Sequence, residues 1–367
     1  MAAVDHELMA AGEWPPAGGR VEPKSYLGGT DMKTALKAGI ALAALVASAA
    51  FPAAAETLRV GDSFPVGHYI AENMTKFWME EVKKESNGEI DFEYFPAEQL
   101  GKAKDLLALT QSGVMDIGYV GASYVSDKLP LSSVGEMPEA FTTSCQGTKA
   151  FWEIAKPGGA LDEAEFAPNG VRVLMVMVLP PYQVFTSNRE ITGLDSLKGL
   201  KIRSTGGAKE LAAQLVGAAP IQIPAPDTRD ALQRGTLDAL LFPHSSILPY
   251  EVTPFLKHAT QDVNFGSFVV TYVISQSKWD QLDEKTQKIL AEVGEKATMH
   301  GCEVADRLDG EDKQKIADSG VKFVTLPEAD QERLQEILGT VSQRWAEDLD
   351  KKGKPGTKIL EAFRDAL

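Results

Sequence analysis

The chain alternates short apolar runs with amphipathic stretches, which is the pattern of an α/β protein. Runs that are continuously apolar or alternate every second residue predict strands, and runs with an apolar position every third or fourth residue predict helices. We expect strands at 57–61, 90–95, 117–120, 171–179, 183–188 and 269–275, a strand ending at Arg203 and another between Asp238 and Pro243. We expect helices at 70–86, 144–156, 160–166, 283–317 and 328–351.

A six-residue pattern occurs twice in the chain. Residues 111–116 read QSGVMD, and residues 233–238 read QRGTLD. In each copy a helix rich in Ala and Leu stops at a Gly, and an apolar strand follows the Asp. Gly suits the left-handed conformation that often ends a helix. The repeat therefore predicts two similar α/β lobes.

The order of the predicted elements indicates where the chain changes lobe. Pro180 and Pro181 end a long apolar run, and Gly266 precedes another strand, so we expect crossings at both places. The predicted boundaries are 56–180 plus 268–308 for lobe I and 181–267 plus 309–367 for lobe II. Discontinuous lobes joined by two or more strands can move as a hinge. This organisation favours a ligand-binding protein over an enzyme.

The N-terminal residues indicate the compartment. Residues 32–37 form a short cationic start, 38–51 are apolar and uncharged, and 52–55 end in small residues suited to a signal peptidase. Residues 32–55 are therefore predicted to be a secretory signal peptide, with cleavage between Ala55 and Glu56 and a periplasmic mature protein. The alternatives are a buried Ala-rich helix or a membrane span, and the apolar run is shorter than the ~20 residues that a span needs.

Residues 1–31 fit no signal pattern, since they mix both charges with Pro and Gly pairs. We expect translation to begin at Met32, which makes 1–31 a non-native or mis-started leader. The two cysteines, Cys145 and Cys302, leave two alternatives open. An exported protein sits where disulfides persist, so they either form one bridge or remain two free thiols.

Composition excludes some partners. The 367 residues are 44% hydrophobic and 24% charged, as in an ordinary globular protein, and carry a formal net charge of −15. That charge argues against nucleic acid, for which a basic face is expected, and against an anionic membrane surface. A local basic site for a small anion remains compatible with it. We expect a monomer.

The main candidate for such a site is Arg203, at the end of a predicted strand and before Gly206 and Gly207. A planar guanidinium matches a carboxylate with two parallel hydrogen bonds. The Gly pair is predicted to let backbone amides approach the same anion. The alternative is that Arg203 is a solvated surface charge. A phosphate loop is excluded because the spacing of Gly and Lys209 does not match that motif.

Several polar and aromatic residues fall in or beside loops at predicted strand ends, where open α/β sheets bind ligands. Those we assign to ligand binding, besides Arg203, are Phe64, His68, Tyr69, Ser123, Tyr124, Tyr182, Gln183, Phe242 and His244. Tyr250 belongs to the same aromatic group. The chain shows neither a His pair with metal-ligand spacing nor a nucleophile elbow, so we assign no catalytic residue, metal or cofactor.

Five motifs occur in order along the chain: FPAEQLG at 95–101, TSNR at 186–189, LKGLKIR at 197–203, IP at 223–224 and ALQRGTLD at 231–238. This ordered set resembles the signature of TRAP (tripartite ATP-independent periplasmic) transporter solute-binding proteins, the C4-dicarboxylate-binding, DctP-like family. The resemblance implies an α/β, two-lobed periplasmic binding protein fold (type II-like) with hinge strands and a long C-terminal helix. It also implies that Arg203 clamps the carboxylate of an organic acid. The partners would be the small and large membrane subunits of an ion-gradient-driven permease.

The sequence departs from the family pattern at two positions. Many members have an Asn where this chain has Phe242, and a second Arg where it has Tyr182-Gln183. Loss of an amide and a cation with gain of aromatic rings favours a monocarboxylate with an aromatic or apolar body, such as a benzoate-like or aryl/2-oxo acid. Gln183 remains able to bind a hydroxyl or second oxygen. The alternatives are a C4-dicarboxylate or sugar acid binder, a periplasmic enzyme acting on organic acids, and a sensory binding component.

Overall fold

The computed structural model describes residues 56–138 and 140–367, and the predicted leader and signal peptide lie outside them. Its strands are β1 (Glu56–Gly61), β2 (Ile90–Phe95), β3 (Ile117–Gly121), β4 (Val171–Val178), β5 (Gln183–Thr186), β6 (Lys201–Ser204), β7 (Ala219–Gln222), β8 (Ala239–Phe242), β9 (His258–Thr260), β10 (Val269–Ser275) and β11 (Lys322–Val324). Its α-helices are α1 (Phe77–Glu85, preceded by a π turn at Ala71–Lys76), α2 (Leu106–Gln111), α3 (Ser144–Ala155), α4 (Gly207–Leu215), α5 (Thr228–Gln233), α6 (His244–Ile247), α7 (Gln276–Trp279), α8 (Glu284–Asp318), α9 (Glu328–Gly339), α10 (Val341–Lys351) and α11 (Gly356–Ala366).

The strands form two sheets, one in each lobe of a two-lobed α/β fold. The first has the order β2-β1-β3-β10-β4, with β1 parallel to β2 and β3 and with β10 antiparallel to both β3 and β4. The second has the order β11-β9-β5-β8-β6-β7, in which β6 is parallel to β7 and β8. The chain leaves the first sheet after β4, builds most of the second, and returns through β10.

The repeated six-residue pattern forms the same junction in each sheet. In the first lobe, Asp116 accepts a hydrogen bond from the backbone N–H of Arg59 on β1, at 2.8 Å, and pairs with its side chain. In the second lobe, Asp238 accepts from the backbone N–H of Lys201 on β6, at 3.1 Å, and pairs with its side chain. The Gly of the second copy, Gly235, also accepts from the Lys201 ammonium. The repeat thus anchors the start of the neighbouring parallel strand.

The predicted last helix at 328–351 is divided in the structure. Helices α9 and α10 are separated by Thr340, whose backbone N–H and hydroxyl both donate to the carbonyl of Ile337 three residues earlier. These bonds tighten the turn and replace the bond to the fourth residue back that an α-helix makes. The sequence prediction also missed α11, which follows Pro355 and packs against α3 and α10.

The structure settles the two alternatives for the cysteines, because Cys145 and Cys302 form a disulfide. The bond joins the first turn of α3 to the long helix α8. The same two helices meet through Asp306, whose carboxylate accepts from the backbone N–H groups of Ser144 and Cys145. A carboxylate at a helix N-terminus satisfies unpaired amides and complements the helix dipole. The bridge therefore reinforces a packing contact that the fold already makes.

We predict that replacing both cysteines with serine lowers the free energy of unfolding by about 2–5 kcal/mol, because the bridge closes a loop of 157 residues and restricts the unfolded chain. Urea denaturation followed by circular dichroism, with and without reductant, measures the change. The wild type should shift on reduction and the double variant should not. An unchanged wild-type midpoint under full reduction would contradict the prediction.

An ion pair between Lys209 and Glu136 lies in the interior, with both side chains fully buried. Lys209 lies in the first turn of α4 in the second lobe, and its ammonium donates both to the Glu136 carboxylate and to the carbonyl of Ser267. The Glu136 carboxylate also accepts from the Ser123 hydroxyl and the Val269 N–H, both of the first lobe. Burial lowers the pKa of Lys209 to about 8, which still leaves the amine cationic at neutral pH. The ion pair therefore links the two lobes next to the place where the chain returns to the first sheet through β10.

We predict that Lys209→Met destabilises the protein by about 3–5 kcal/mol, because it leaves the buried Glu136 carboxylate without its countercharge. The matched double variant Lys209→Met/Glu136→Gln removes both charges and should recover part of that loss. Urea unfolding of the two single variants and the double variant gives the coupling energy. Strictly additive effects would show that the two side chains do not stabilise each other.

Candidate functional site: an enclosed aromatic cavity around Arg203

The site forms where the carboxyl ends of parallel strands from both sheets meet. Phe64 and His68 follow β1, Tyr124 follows β3, Arg203 lies near the end of β6, and Phe242 ends β8. Strands β1 and β3 are neighbours in the first sheet, and β6 and β8 are neighbours in the second. Open α/β sheets bind ligands at this edge. The repeated strand pair thus brings equivalent edges of the two lobes together.

Arg203 is 1% exposed, so it is not a solvated surface charge. Its Nε–H donates to the carbonyl of Ile223 at 2.9 Å, and its two terminal nitrogens donate to the carbonyl of Leu241 at 3.1 Å and to the hydroxyl of Tyr124 at 3.2 Å. A guanidinium has five N–H donors. Two therefore have no partner among residues 56–138 and 140–367.

The guanidinium also lies over the ring of Phe242, with 4.3 Å between the central carbon of the guanidinium and the ring centroid. Such a contact stabilises a cation on the aromatic face. No acidic residue pairs with Arg203 within the described part of the chain. The arrangement leaves a buried positive charge oriented by carbonyls and an aromatic ring, and ready for an anion.

A cavity lies beside the guanidinium. Its volume is about 20 Å³, room for a single water molecule, so the space is narrow and the facing side chains must move apart to admit a ligand. The lining residues are Phe64, His68, Ile70, Tyr119, Tyr124, Phe268 and Val270 of the first lobe, Arg203, Ala225, Phe242, Ser246 and Tyr250 of the second, and Leu179 and Tyr182 near the crossing.

Four tyrosines, Tyr119, Tyr124, Tyr182 and Tyr250, line the same cavity as the guanidinium. Burial raises the pKa of Tyr124, Tyr182 and Tyr250, while the charge of Arg203 opposes that rise in all three. Burial also raises the pKa of Tyr119. All four hydroxyls therefore stay protonated at neutral pH. Tyr124 accepts from Arg203 and from the N–H of Ala225, at 3.0 Å, which leaves its own O–H able to donate.

His68 adds a different kind of donor to the wall. It is 1% exposed, and its Nδ1 accepts from the backbone N–H of Ile70 at 3.2 Å. Its Nε2 has no hydrogen-bond partner among the described residues. Burial lowers the pKa of the ring to about 3, so the imidazole is neutral at neutral pH.

The structure brings together six of the residues assigned to ligand binding from sequence: Arg203, Phe242, Tyr182, Tyr124, Phe64 and His68 all line the cavity. It places the other four elsewhere. The Ser123 hydroxyl donates to Glu136, and the Tyr69 hydroxyl lies 3.4 Å from that of Ser245. Neither side chain lines the cavity.

Gln183 and His244 line a separate groove of about 380 Å³. Gln183 is held by the carbonyl of Val263 and the hydroxyl of Thr260, so it does not present its amide to the Arg203 cavity. The Nδ1 of His244 lies 2.8 Å from the carboxylate of Asp309. Gln183 follows Tyr182 directly, and successive residues of an extended chain point to opposite sides. That alternation separates the two neighbours.

The Gly pair after β6 has a different role from the one expected. Gly206 and Gly207 adopt φ values of +93° and +59°, which favour glycine, and neither lines the cavity. A Cβ at Gly207 would lie 3.1 Å from the side chains of Ser123 and Ser133. The pair therefore lets the first lobe approach closely, and its amides do not reach the cavity.

Sequence reasoning missed several lining residues. Tyr119, Ser246 and Phe268 had no assigned role, and Tyr250 was included only in a general aromatic group. Tyr119 lies within β3, two residues before the strand ends, and Phe268 lies next to β10. Both read as core residues in a linear pattern. The signal available was that Tyr119 lies on β3, the strand next to β1, and that Phe64 lies in the loop that follows β1.

The described residues contain no group of three or more His, Cys, Asp or Glu side chains placed to hold a metal ion. None of the helices in 56–138 and 140–367 is both long and apolar enough to cross a membrane.

Comparison with known proteins gives a family match over most of the chain. Residues 60–348 match the model for bacterial extracellular solute-binding protein, family 7. The C4-dicarboxylate-binding periplasmic protein DctP of Rhodobacter capsulatus is 24% identical over 339 residues, which cover 89% of this chain and 98% of that protein.

Two solved structures share the fold. A TRAP solute-binding protein from Rhodoferax ferrireducens in complex with copurified benzoate is 25% identical, with a TM-score of 0.78, covering 84% of this chain and 97% of that one. A TRAP periplasmic solute-binding protein from Bordetella bronchiseptica with bound (R)- and (S)-mandelate is 23% identical, with a TM-score of 0.77, covering 84% and 98%. The family match and these two structures agree with the signature motifs at 95–101 and 197–203. The chain belongs to the family 7 extracellular solute-binding proteins, the solute-binding proteins of TRAP transporters.

Proposed function

We propose that this protein captures an aromatic monocarboxylate in the cavity and delivers it to a TRAP membrane permease, with Arg203 as the clamp for the carboxylate. The observation that carries the proposal is the buried guanidinium, which lies on the wall of a narrow aromatic cavity with two N–H groups that have no partner among the described residues. Two parallel donors suit the two oxygens of a carboxylate. The protonated hydroxyls of Tyr124, Tyr182 and Tyr250 supply further donors near the same charge.

The charge of the cavity supports a single carboxylate. Of its fourteen described lining residues, Arg203 is the one that carries a full positive charge. Lys209 lies close by but is already paired with Glu136. A second carboxylate on the ligand would be buried against aromatic rings without a countercharge, at a cost of several kcal/mol. A C4-dicarboxylate is therefore a poor fit.

The walls support an aromatic body. Phe242 and Tyr250 stack with 9° between their planes and 5.8 Å between their centroids. Tyr124 and Phe268 pack together on the first-lobe side, with centroids 4.9 Å apart. A narrow space between flat rings suits a flat ligand, which gains burial area and offset stacking at once. The copurified benzoate of the Rhodoferax protein is an acid of this kind.

Capture and release follow from the two-lobed architecture. Tyr124 of the first lobe receives hydrogen bonds from Arg203 and Ala225 of the second, and Gln222 donates to the carbonyl of Ser123 at 3.2 Å. These bonds must break for the lobes to part and release the ligand, and we infer that the lobes move as a hinge about the predicted crossings at 180–181 and 266–267.

Members of the family act outside the cytoplasm. We propose that 32–55 directs this chain there, and that a monomer meets the small and large permease subunits.

We predict that Arg203→Ala weakens benzoate binding by roughly 2–5 kcal/mol, because the ligand carboxylate loses its buried countercharge. Arg203→Lys keeps the charge but loses the planar fork, and should bind with intermediate affinity. Isothermal titration calorimetry measures the three affinities. Arg234→Ala is the matched control, since Arg234 lies in the same lobe with a side chain that is 76% exposed.

The same titrations with succinate test the monocarboxylate preference, and we expect at least roughly tenfold weaker binding than for benzoate, which corresponds to about 1.4 kcal/mol. Thermal unfolding of each variant establishes that it is folded. Benzoate binding that survives in a folded Arg203→Ala variant would remove Arg203 from the site. Preferential binding of succinate by the wild type would overturn the aromatic assignment.

A further inference from the structure

His68 has a feature that carboxylate capture by Arg203 leaves unexplained. Its ring lies on the cavity wall, almost completely buried, and one of its two nitrogens has no partner among the described residues. Aromatic neighbours hold the ring in place: Phe64 at 4.8 Å, Tyr69 at 4.9 Å and Tyr250 at 5.2 Å between centroids. A buried polar atom without a partner costs free energy in the unliganded protein.

The hydrogen bond at the other nitrogen fixes the tautomer. Because Nδ1 accepts from the N–H of Ile70, it carries no proton. A neutral imidazole then carries its single proton on Nε2. Burial keeps the ring neutral by lowering the pKa of His68 to about 3. The unpartnered atom is therefore an N–H donor without charge, which matches an oxygen acceptor on a ligand.

A series of ring contacts connects Arg203 with His68 along the cavity wall. Arg203 contacts Phe242 at 4.3 Å, Phe242 stacks on Tyr250 at 5.8 Å, and Tyr250 contacts His68 at 5.2 Å. Two aromatic rings thus lie between the guanidinium and the imidazole in this series of contacts. A carboxylate held by Arg203 places the body of the acid along these rings.

Taking the carboxylate clamp of the proposed function as given, we propose that His68 donates its Nε2–H to an oxygen on the body of the ligand. The cavity then selects aromatic monocarboxylates that carry a hydroxyl, ether or carbonyl oxygen remote from the carboxylate. A site built to hydrogen-bond a substituent discriminates against the analogue that lacks it, because the buried donor is left unpaired. His68 is in this way a specificity-determining residue, and Arg203 provides the affinity that all acids share.

Two other partners for Nε2 make different predictions. If Nε2 donated to the carboxylate itself, every aromatic acid would depend on His68 equally. If it bonded a buried water that stays in place, no acid would depend on it selectively. Only a hydrogen bond to a ring substituent links His68 to the difference between a substituted acid and its unsubstituted parent.

The experiment compares binding of benzoate and the three monohydroxybenzoates by calorimetry. For the wild type we expect at least one isomer to bind roughly tenfold or more tightly than benzoate, equal to about 1.4 kcal/mol. In His68→Asn, whose side-chain oxygen can still accept from Ile70, that preference should fall below about threefold while benzoate affinity changes little. His68→Gln places an amide N–H further out and should retain part of the preference.

Tyr69→Phe is the matched control, since the Tyr69 ring stacks on His68 but does not line the cavity, and it should keep the wild-type preference. A ¹⁵N NMR titration of the wild type supplies a readout that needs no variant. The Nε2 resonance of His68 should shift more with the preferred isomer than with benzoate.

The inference is overturned if the wild type shows no preference for any isomer, if His68→Asn keeps the preference, or if that variant weakens all the acids equally. Failure of the proposed function gives another pattern, namely wild-type protein that binds none of these acids, or binding that Arg203→Ala leaves intact. In that pattern the inference falls with the function on which it rests. Benzoate binding that depends on Arg203, with no isomer preferred, overturns the inference alone.

Discussion

The burial of one guanidinium shapes this protein. Taking Arg203 out of water costs free energy, and the backbone carbonyls of Ile223 and Leu241, a tyrosine hydroxyl and the face of Phe242 offset that cost. None of these partners removes the net charge, so the cavity keeps a positive site with two N–H donors that have no partner in the described part of the chain. In the proposed function an anionic ligand completes the arrangement. We expect that ligand to favour closure, because the Tyr124 hydroxyl that accepts from Arg203 belongs to the opposite lobe.

The rest of the fold positions that charge. The repeated Gln-x-Gly-x-x-Asp pattern anchors one parallel strand pair in each lobe. Asp116 accepts from the N–H of Arg59 on β1, and Asp238 accepts from the N–H of Lys201 on β6. The strand ends of both pairs then meet at the cavity. The buried pair of Lys209 and Glu136 and the disulfide lie outside the cavity lining. They stabilise the framework, while aromatic rings and hydroxyls line the cavity beside Arg203.

Sequence predicts the framework better than the wall of the site. The motif around Arg203 and the alternation of apolar runs were enough to place Arg203 at the end of a strand and to predict two α/β lobes, because they depend on local pattern. Tyr119 could not be distinguished from core, since a ring in a buried strand looks the same whether it faces protein or a cavity. Gln183 lines the separate groove and not the Arg203 cavity, because a one-residue difference moves a side chain to the other face of a strand. The Lys209–Glu136 pair joins positions 73 residues apart, and no local pattern connects them.

A crystal structure of the protein grown with benzoate tests the central claim most directly. We predict that both carboxylate oxygens lie about 2.7–2.9 Å from the terminal nitrogens of Arg203. The ring should lie between the aromatic walls of the cavity. Benzoate bound in the groove beside Gln183 and His244, or oriented with its carboxylate away from Arg203, would contradict the account.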